Sequence, residues 1–382
     1  MTTTKIKRGR LKPPFFAGDF MKPIGLYIHI PFCNGKCPYC DFYSVSPQDE
    51  TVTNYVNALC REIDKADGIY DTVYFGGGTP SLIGSDNISN IMSHINRTED
   101  CEVTLECNPS DTGGINSSFD FDRVAKSGIN RISMGLQSAD NTERAFLGRR
   151  GGCDDVERAV KKARAAGIDN ISLDLMLGIP NQTAESLKKS ISFCKEMQAK
   201  HVSAYILKIE EGTPFYAKKD TMILPDEDET CDLYLTAVNE LAKAGYSQYE
   251  ISNFSHEGYE SKHNLKYWHC EEYLGLGASA HSFVNGKRFY YKRSIKDFCD
   301  GIPPVNDGEG GDEEEYIMLA LRLTEGLHFQ KFSNRFGHSV SSEIISNAKQ
   351  LEKHGLIKVT ENNIALTVNG FLVSNSVISN II

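Results

Sequence analysis

The chain has 382 residues, 40% of them hydrophobic and 24% charged, which is ample material for a core and more length than one α/β barrel of about 250 residues uses. A net charge of −10 excludes a general nucleic-acid surface, because phosphate binding needs a basic footprint. No window holds the roughly 18 to 20 consecutive apolar residues of a membrane span, and the N-terminus lacks the apolar stretch of a secretory signal, so a cytoplasmic location is expected. Residues 1–21 begin with Lys5, Lys7, Arg8, Arg10 and Lys12 and read as a disordered basic tail. From 22 to 255, β-rich runs at 25–30, 72–75, 102–106, 130–134, 170–175 and 202–207 alternate with helical patterns at 53–66, 121–127, 155–166 and 184–197. In the last of these Leu187, Ile191 and Cys194 recur at three- to four-residue steps, with Thr183 placed as the N-cap. Strands separated by helices predict parallel βαβ units with right-handed crossovers. Six of them predict an α/β fold built as a partial (β/α)6 barrel, with a flat doubly wound sheet as the rival topology. A further helix and a strand near 246–251 follow, then an aromatic loop region at 256–300. Pro303, Pro304, glycines and a run of acids predict an acidic linker at 301–315. Helical patterns at 316–323, 329–336 and 341–354, then strands at 356–359 and 363–367, predict a small α+β winged-helix-like domain over 316–382.

The chemistry concentrates in the cysteines. There are 11, and a reducing compartment argues against a disulfide framework. Eight stand singly and read mostly as small buried apolar residues, whereas Cys33-x-x-x-Cys37-x-x-Cys40 follows the first strand directly. Loops at the C-terminal ends of parallel strands are where such folds place their active sites. Three thiolates at this spacing can hold three corners of an iron–sulfur cube and leave one iron free to chelate a small molecule. Structural zinc would call for four protein ligands, usually as paired Cys-x-x-Cys units, and no second pair exists.

The run from Tyr27 through Cys33, Cys37 and Cys40 to Asp41 and Phe42 resembles the radical S-adenosylmethionine (SAM) superfamily. More narrowly, it is similar to the branch holding oxygen-independent coproporphyrinogen III dehydrogenase and the haem chaperone family HemW. The resemblance spans about residues 22–375 and implies a 4Fe-4S cluster on the three cysteines, with SAM on the free iron. In that superfamily one electron from the cluster splits the sulfonium into methionine and a 5′-deoxyadenosyl radical. It also implies an electron donor such as flavodoxin or ferredoxin. By motif it carries a SAM-binding role to Gly77, Gly78 and Thr79 in Phe-Gly-Gly-Gly-Thr-Pro, to Glu106, Gln137, Arg149 and Asp174, and to Tyr27 and Tyr39 lining the pocket. From the residues alone, the glycines equally fit a tight strand-to-loop turn, and the tyrosines simple packing. Asp174 is the most telling, because an acid inside an apolar strand needs a partner.

Two departures separate the relatives. The dehydrogenase motif continues with a fourth cysteine where this chain has Phe42, and the segment before the first strand is shorter here. His263-Asn264-Leu265-Lys266-Tyr267-Trp268 reproduces the His-Asn-x-x-Tyr-Trp signature of the HemW proteins and contains the only tryptophan. An imidazole beside large aromatic rings suits haem, nitrogen for the iron and rings for the macrocycle. His281 supplies a second histidine downstream, and Cys270 another iron ligand of lower standing. The alternative for both histidines is hydrogen bonding inside a core loop. The expectation is a haem-binding radical SAM protein with haem or a porphyrin and haem-acceptor proteins as partners. The alternatives are a coproporphyrinogen dehydrogenase and an iron–sulfur module that binds SAM without cleaving it.

Overall fold

Odd and even positions along the first strand carry different chemistry. In β1 (Ile24–Ile30) Leu26, Ile28 and Ile30 lie in the apolar core, while Tyr27 and His29 point to the other face. The same alternation repeats in β2 (Tyr70–Gly77), β3 (Arg97–Cys107), β4 (Arg131–Gln137), β5 (Asn170–Leu177) and β6 (His201–Ile206). Val73, Val103, Ile132, Leu173 and Val202 face the core, whereas Tyr74, Glu106, Ser133, Asp174 and Ser203 occupy alternate positions. Each strand thus offers one apolar face to a helical layer and one polar face to a concave interior. A computed structural model describes residues 22–115 and 117–382. The basic tail expected at 1–21 lies outside the described residues.

β1 to β6 are parallel neighbours in strict sequence order. A doubly wound sheet would reverse direction partway, so this order selects the partial barrel and rejects the rival. The connecting helices bury regular stripes. Asp49–Ala66 buries Val52, Tyr55, Val56, Leu59 and Ile63, and ends at Asp67 in the left-handed conformation. Ala184–Glu196 is capped by Thr183, whose side chain accepts from the Ser186 amide, and it buries Leu187, Ile191 and Cys194 as its periodicity predicts.

The sheet does not close on itself. It continues past β6 through β8 (Asn253–Ser255) to β7 (Ser247–Gln248), and past β1 through β9 (Tyr273–Leu276), β10 (His281–Val284), β11 (Lys287–Tyr290) and β12 (Val305–Glu309), giving 12 strands. Residues 256–300, read as aromatic loops, therefore carry three strands and the helices Lys262–Trp268 and Ile295–Cys299. Within the expected acidic linker, 305–309 pair antiparallel with β11. An edge strand takes its energy from backbone hydrogen bonds and is well served by exposed polar side chains that deter further pairing, so composition alone reads it as linker. Asp312 then caps the helix Glu313–Ala320. The C-terminal region holds the helices Phe329–Phe336 and Ser342–Glu352 and a small antiparallel sheet in the order β13 (Leu327–His328), β15 (Asn363–Leu366), β14 (Ile357–Val359). Among the described residues no helix is long and apolar enough to cross a membrane.

Candidate functional site

The three cysteines lie on the loop that leaves the C-terminal end of β1, and all are free and half-buried. Backbone bonds pin that loop: Cys33 N–H to the Val45 carbonyl at 2.9 Å, Val45 N–H to Pro31 at 2.9 Å, and Cys40 N–H to Cys37 at 3.0 Å. Among the described residues no three His, Cys, Asp or Glu side chains converge to grip a single ion. A cube takes one thiolate at each of three corners, and the three free thiols of this pinned loop are the set available to supply them. Thr79 directs its hydroxyl to Cys33 Sγ at 3.8 Å, and Arg149 its Nη1 to Cys37 Sγ at 3.8 Å. Those donors fit thiolates. When bound, the cluster would supply the electron for SAM.

The glycine segment after β2 holds the loop from the other side. Gly78 donates to Ile30 O at 2.9 Å and Thr79 to Phe32 O at 2.7 Å. A Cβ on Gly78 would stand 2.5 Å from the Phe32 carbonyl oxygen, and one on Gly77, at φ +108°, 2.5 Å from the His29 ring. The contact on Gly78 is backbone, adjacent to Cys33, and cannot swing aside. Gly78→Ala should cost about 1–3 kcal/mol and lower iron content on reconstitution, checked by thermal melts and iron assay. Wild-type iron loading in that variant would contradict the role of this contact.

Around the loop the remaining SAM candidates gather on the concave face. Glu106 Oε1 accepts from the Tyr74 hydroxyl at 2.8 Å, and burial with Asp174 nearby pushes its carboxyl up to about 7. Asp174 finds its partner in Ser133, whose hydroxyl donates at 3.2 Å, and burial again raises its pKa. Gln137 ends β4 at φ +67°, a left-handed conformation that a non-glycine side chain adopts at a cost. Gly135 makes room for it: a Cβ there would meet Gln137 Nε2 at 2.7 Å and Arg149 Nη2 at 2.8 Å. Arg149 also donates to the Gly135 carbonyl at 2.6 Å, so one guanidinium ties β4 to the cysteine loop. Tyr39 packs against Phe215 at the edge of a small cluster with Leu147, Met176 and Ile179. Tyr27 donates to His29 Nδ1 at 3.1 Å, while His29 Nε2 reaches the Tyr43 carbonyl at 3.2 Å. The carbonyl can only accept, which places the imidazole proton on Nε2. Burial lowers His29 to about 4, so this relay is neutral.

The helix Lys262–Trp268 packs against the barrel's polar face. His263 is buried; its Nδ1 meets Thr72 Oγ1 at 2.8 Å, its Nε2 meets the Tyr267 hydroxyl at 2.9 Å, and its amide donates to Glu102 at 3.3 Å. Burial pushes its pKa down to about 3. Its ring stacks on Tyr74 at 5.3 Å and Tyr27 at 6.5 Å. In this conformation no lone pair of His263 is open to a haem iron; ligation would require both ring hydrogen bonds to break. Asn264 sits on the first turn, its amide bonded to Ser261 Oγ at 3.4 Å. Trp268 lies under Arg322 at 5.9 Å with its indole N–H buried and without a partner. Cys270 is buried against Arg335 at 3.6 Å. His281 stands apart from this group, exposed at the start of β10.

Sequence reasoning passed over His29, Tyr74 and Arg131. Arg131 is 2% exposed and donates to Thr104 at 3.4 Å, and its charge favours ionisation of Glu102, Glu106 and Asp174. The available signal was parity: each is a polar residue at an inward position of a strand whose alternate positions are apolar.

With this geometry in place, comparison with known proteins is decisive. The Radical SAM superfamily model matches residues 27–194, and the HemN C-terminal domain model matches 313–373. A relative from Bacillus subtilis named heme chaperone HemW is 36% identical, covering 92% of this chain and 97% of its own length. The chain belongs to the HemW family. The Escherichia coli HemW is 35% identical over 80% of this chain and 84% of its own. Radical SAM membership implies the 4Fe-4S cluster and SAM, which the loop geometry fits. Among solved structures, the coproporphyrinogen III oxidase HemN from Escherichia coli, a radical SAM enzyme, aligns with TM-score 0.79 and 20% identity over 94% of this chain and 90% of its own. That likeness shows the fold shared by HemW and HemN: the singly wound sheet with a small C-terminal domain.

Proposed function

We propose that the chain binds haem and passes it to haem-requiring proteins, holding a 4Fe-4S cluster on Cys33, Cys37 and Cys40 and SAM beside it. The observation that carries this reading is the relationship to proteins named haem chaperone over nearly their whole length, including the helix that bears His263, Tyr267 and Trp268. SAM would lie between the glycine segment Gly77–Thr79 and the carboxyls of Glu106 and Asp174, with Gln137, Arg149, Tyr27 and Tyr39 around it. Arg149 would hold Cys37 and β4 in register, and Tyr74 would orient Glu106. An electron donor such as flavodoxin or ferredoxin would reduce the cluster. Location in the cytoplasm belongs to the same reading.

Phe42, where a dehydrogenase carries its fourth cysteine, is 64% exposed and offers no thiol. The test is incubation of the anaerobically reconstituted full chain with SAM, dithionite and coproporphyrinogen III. The porphyrinogen should remain unconsumed, while haem offered separately should co-elute with the protein in gel filtration. Consumption of the porphyrinogen without haem retention would overturn the proposal in favour of the dehydrogenase.

A further inference from the structure

His281 differs from most histidines of the chain. Among the described residues, which include all 10, only His281 and His354 have no hydrogen bond or ion pair on the ring. His354 follows the helix Ser342–Glu352 in the C-terminal region. His281 instead opens β10, on the flank of the sheet that runs on from β1 through β9. Strand parity fixes its direction. Phe283 pairs with Tyr273, and Tyr273 with Gly25, so His281 shares its face with Tyr27 and His29 on the barrel's concave side. The Tyr291 amide donates to the Ala280 carbonyl at 2.9 Å and the Ser279 amide to the Lys292 carbonyl at 3.1 Å, which holds the chain leading to Arg293 beside the start of β10.

The surroundings match the parts of a haem. Tyr290, directly opposite on β11, stacks on the His281 ring at 5.2 Å and 24°. Arg293 is 63% exposed and reaches Asp41, next to the cluster ligand Cys40, at 3.5 Å. A pair so exposed contributes little, so a propionate can take the place of Asp41. Lys292 beside it is exposed as well. Desolvation, with Arg288 and Arg293 nearby, lowers the His281 pKa, which favours the neutral imidazole whose lone pair can take the iron. His263 would have to surrender two buried hydrogen bonds to do the same and leave Thr72 and Tyr267 without those partners.

Resting on the haem-chaperone reading, we propose that His281 is the imidazole that takes the iron of an incoming haem at the cluster-side mouth of the barrel, with Tyr290 stacked on the imidazole to hold its orientation and Arg293 on a propionate. The experiment is a haem titration of the reconstituted full chain and its His281→Ala variant, followed by the Soret band and ferric electron paramagnetic resonance. The variant should bind at least about ten-fold more weakly and lose the imidazole-ligated spectrum, and free imidazole should restore that spectrum. Its cluster absorbance should match wild type and its melting temperature should change little, since the ring makes no hydrogen bond or ion pair and only stacks on Tyr290. Arg293→Ala should weaken binding without changing the spectrum. A His281→Ala variant with wild-type affinity and spectrum would overturn the assignment while leaving the chaperone reading intact. Failure of the wild type itself to take haem would remove both.

Discussion

Cys37→Ala should yield a folded chain that holds no 4Fe-4S cluster and releases no 5′-deoxyadenosine above background when given SAM and dithionite. A cube held by three thiolates has no spare protein ligand, and the loop offers no fourth: Phe42 occupies the position where one would stand. The fold should survive. Cys37 is half-buried on a loop tied down by the backbone bonds of Cys33, Cys40 and Val45, so the loss is confined to iron binding and the contact with Arg149. Iron and sulfide analysis, visible absorbance and product assay check this together. Cys231→Ala, on a helix remote in sequence from the loop, is the control and should keep full iron loading. Loading of Cys37→Ala to the wild-type level would show that the cluster sits elsewhere.

Glu106→Gln should stabilise the cofactor-free protein at pH 8 and weaken SAM binding, two effects of opposite sign from one atom. Burial, with Asp174 adding to it, raises the Glu106 carboxyl from 4.5 to about 7 in the fold. The folded state therefore keeps a proton that the unfolded chain sheds. Its stabilising contribution is fully present below about pH 4.5 and is lost as pH rises through about 7. The loss at pH 8 is on the order of 3 kcal/mol. Glutamine mimics the protonated form and escapes it. Melting temperatures of the variant and wild type should agree at pH 4.5 and diverge at pH 8, the variant higher. Glu250, also raised to about 7, is present in both proteins and cancels in the comparison. SAM carries cationic ammonium and sulfonium groups, and an ionised Glu106 is the partner the proposed site offers them. Isothermal titration should show weaker SAM binding to the variant and a wild-type affinity that rises between pH 6 and pH 8 as the carboxyl ionises. Equal affinity in the two proteins would take Glu106 out of the SAM site.

Residues that act through local chain order were legible without coordinates. The cysteine loop, the six strands that frame it and the capping of Ala184–Glu196 by Thr183 all depend on neighbours within a few positions. Residues whose meaning depends on distant partners were not. Tyr74 became significant because Glu106, on the neighbouring strand, takes its hydroxyl as a donor, and Arg131 because its buried charge favours the ionised forms of Glu102, Glu106 and Asp174. The sheet flank of β9 to β12 escaped notice because strands of four or five residues are too short to carry a clear periodicity. Composition alone could not show that 305–309 would find β11. His263 shows the reverse problem. Its motif reads as a ligand, yet Thr72 and Tyr267, one of them 191 residues away in sequence, occupy both of its nitrogens.

Whether this chain carries haem is measured most directly by a haem titration of the anaerobically reconstituted wild-type chain followed at the Soret band. A haem chaperone of this kind should give a saturable rise that ends at one haem per chain, with the cluster absorbance unchanged. A featureless linear increase with no saturation, equal to haem added to buffer, would contradict it.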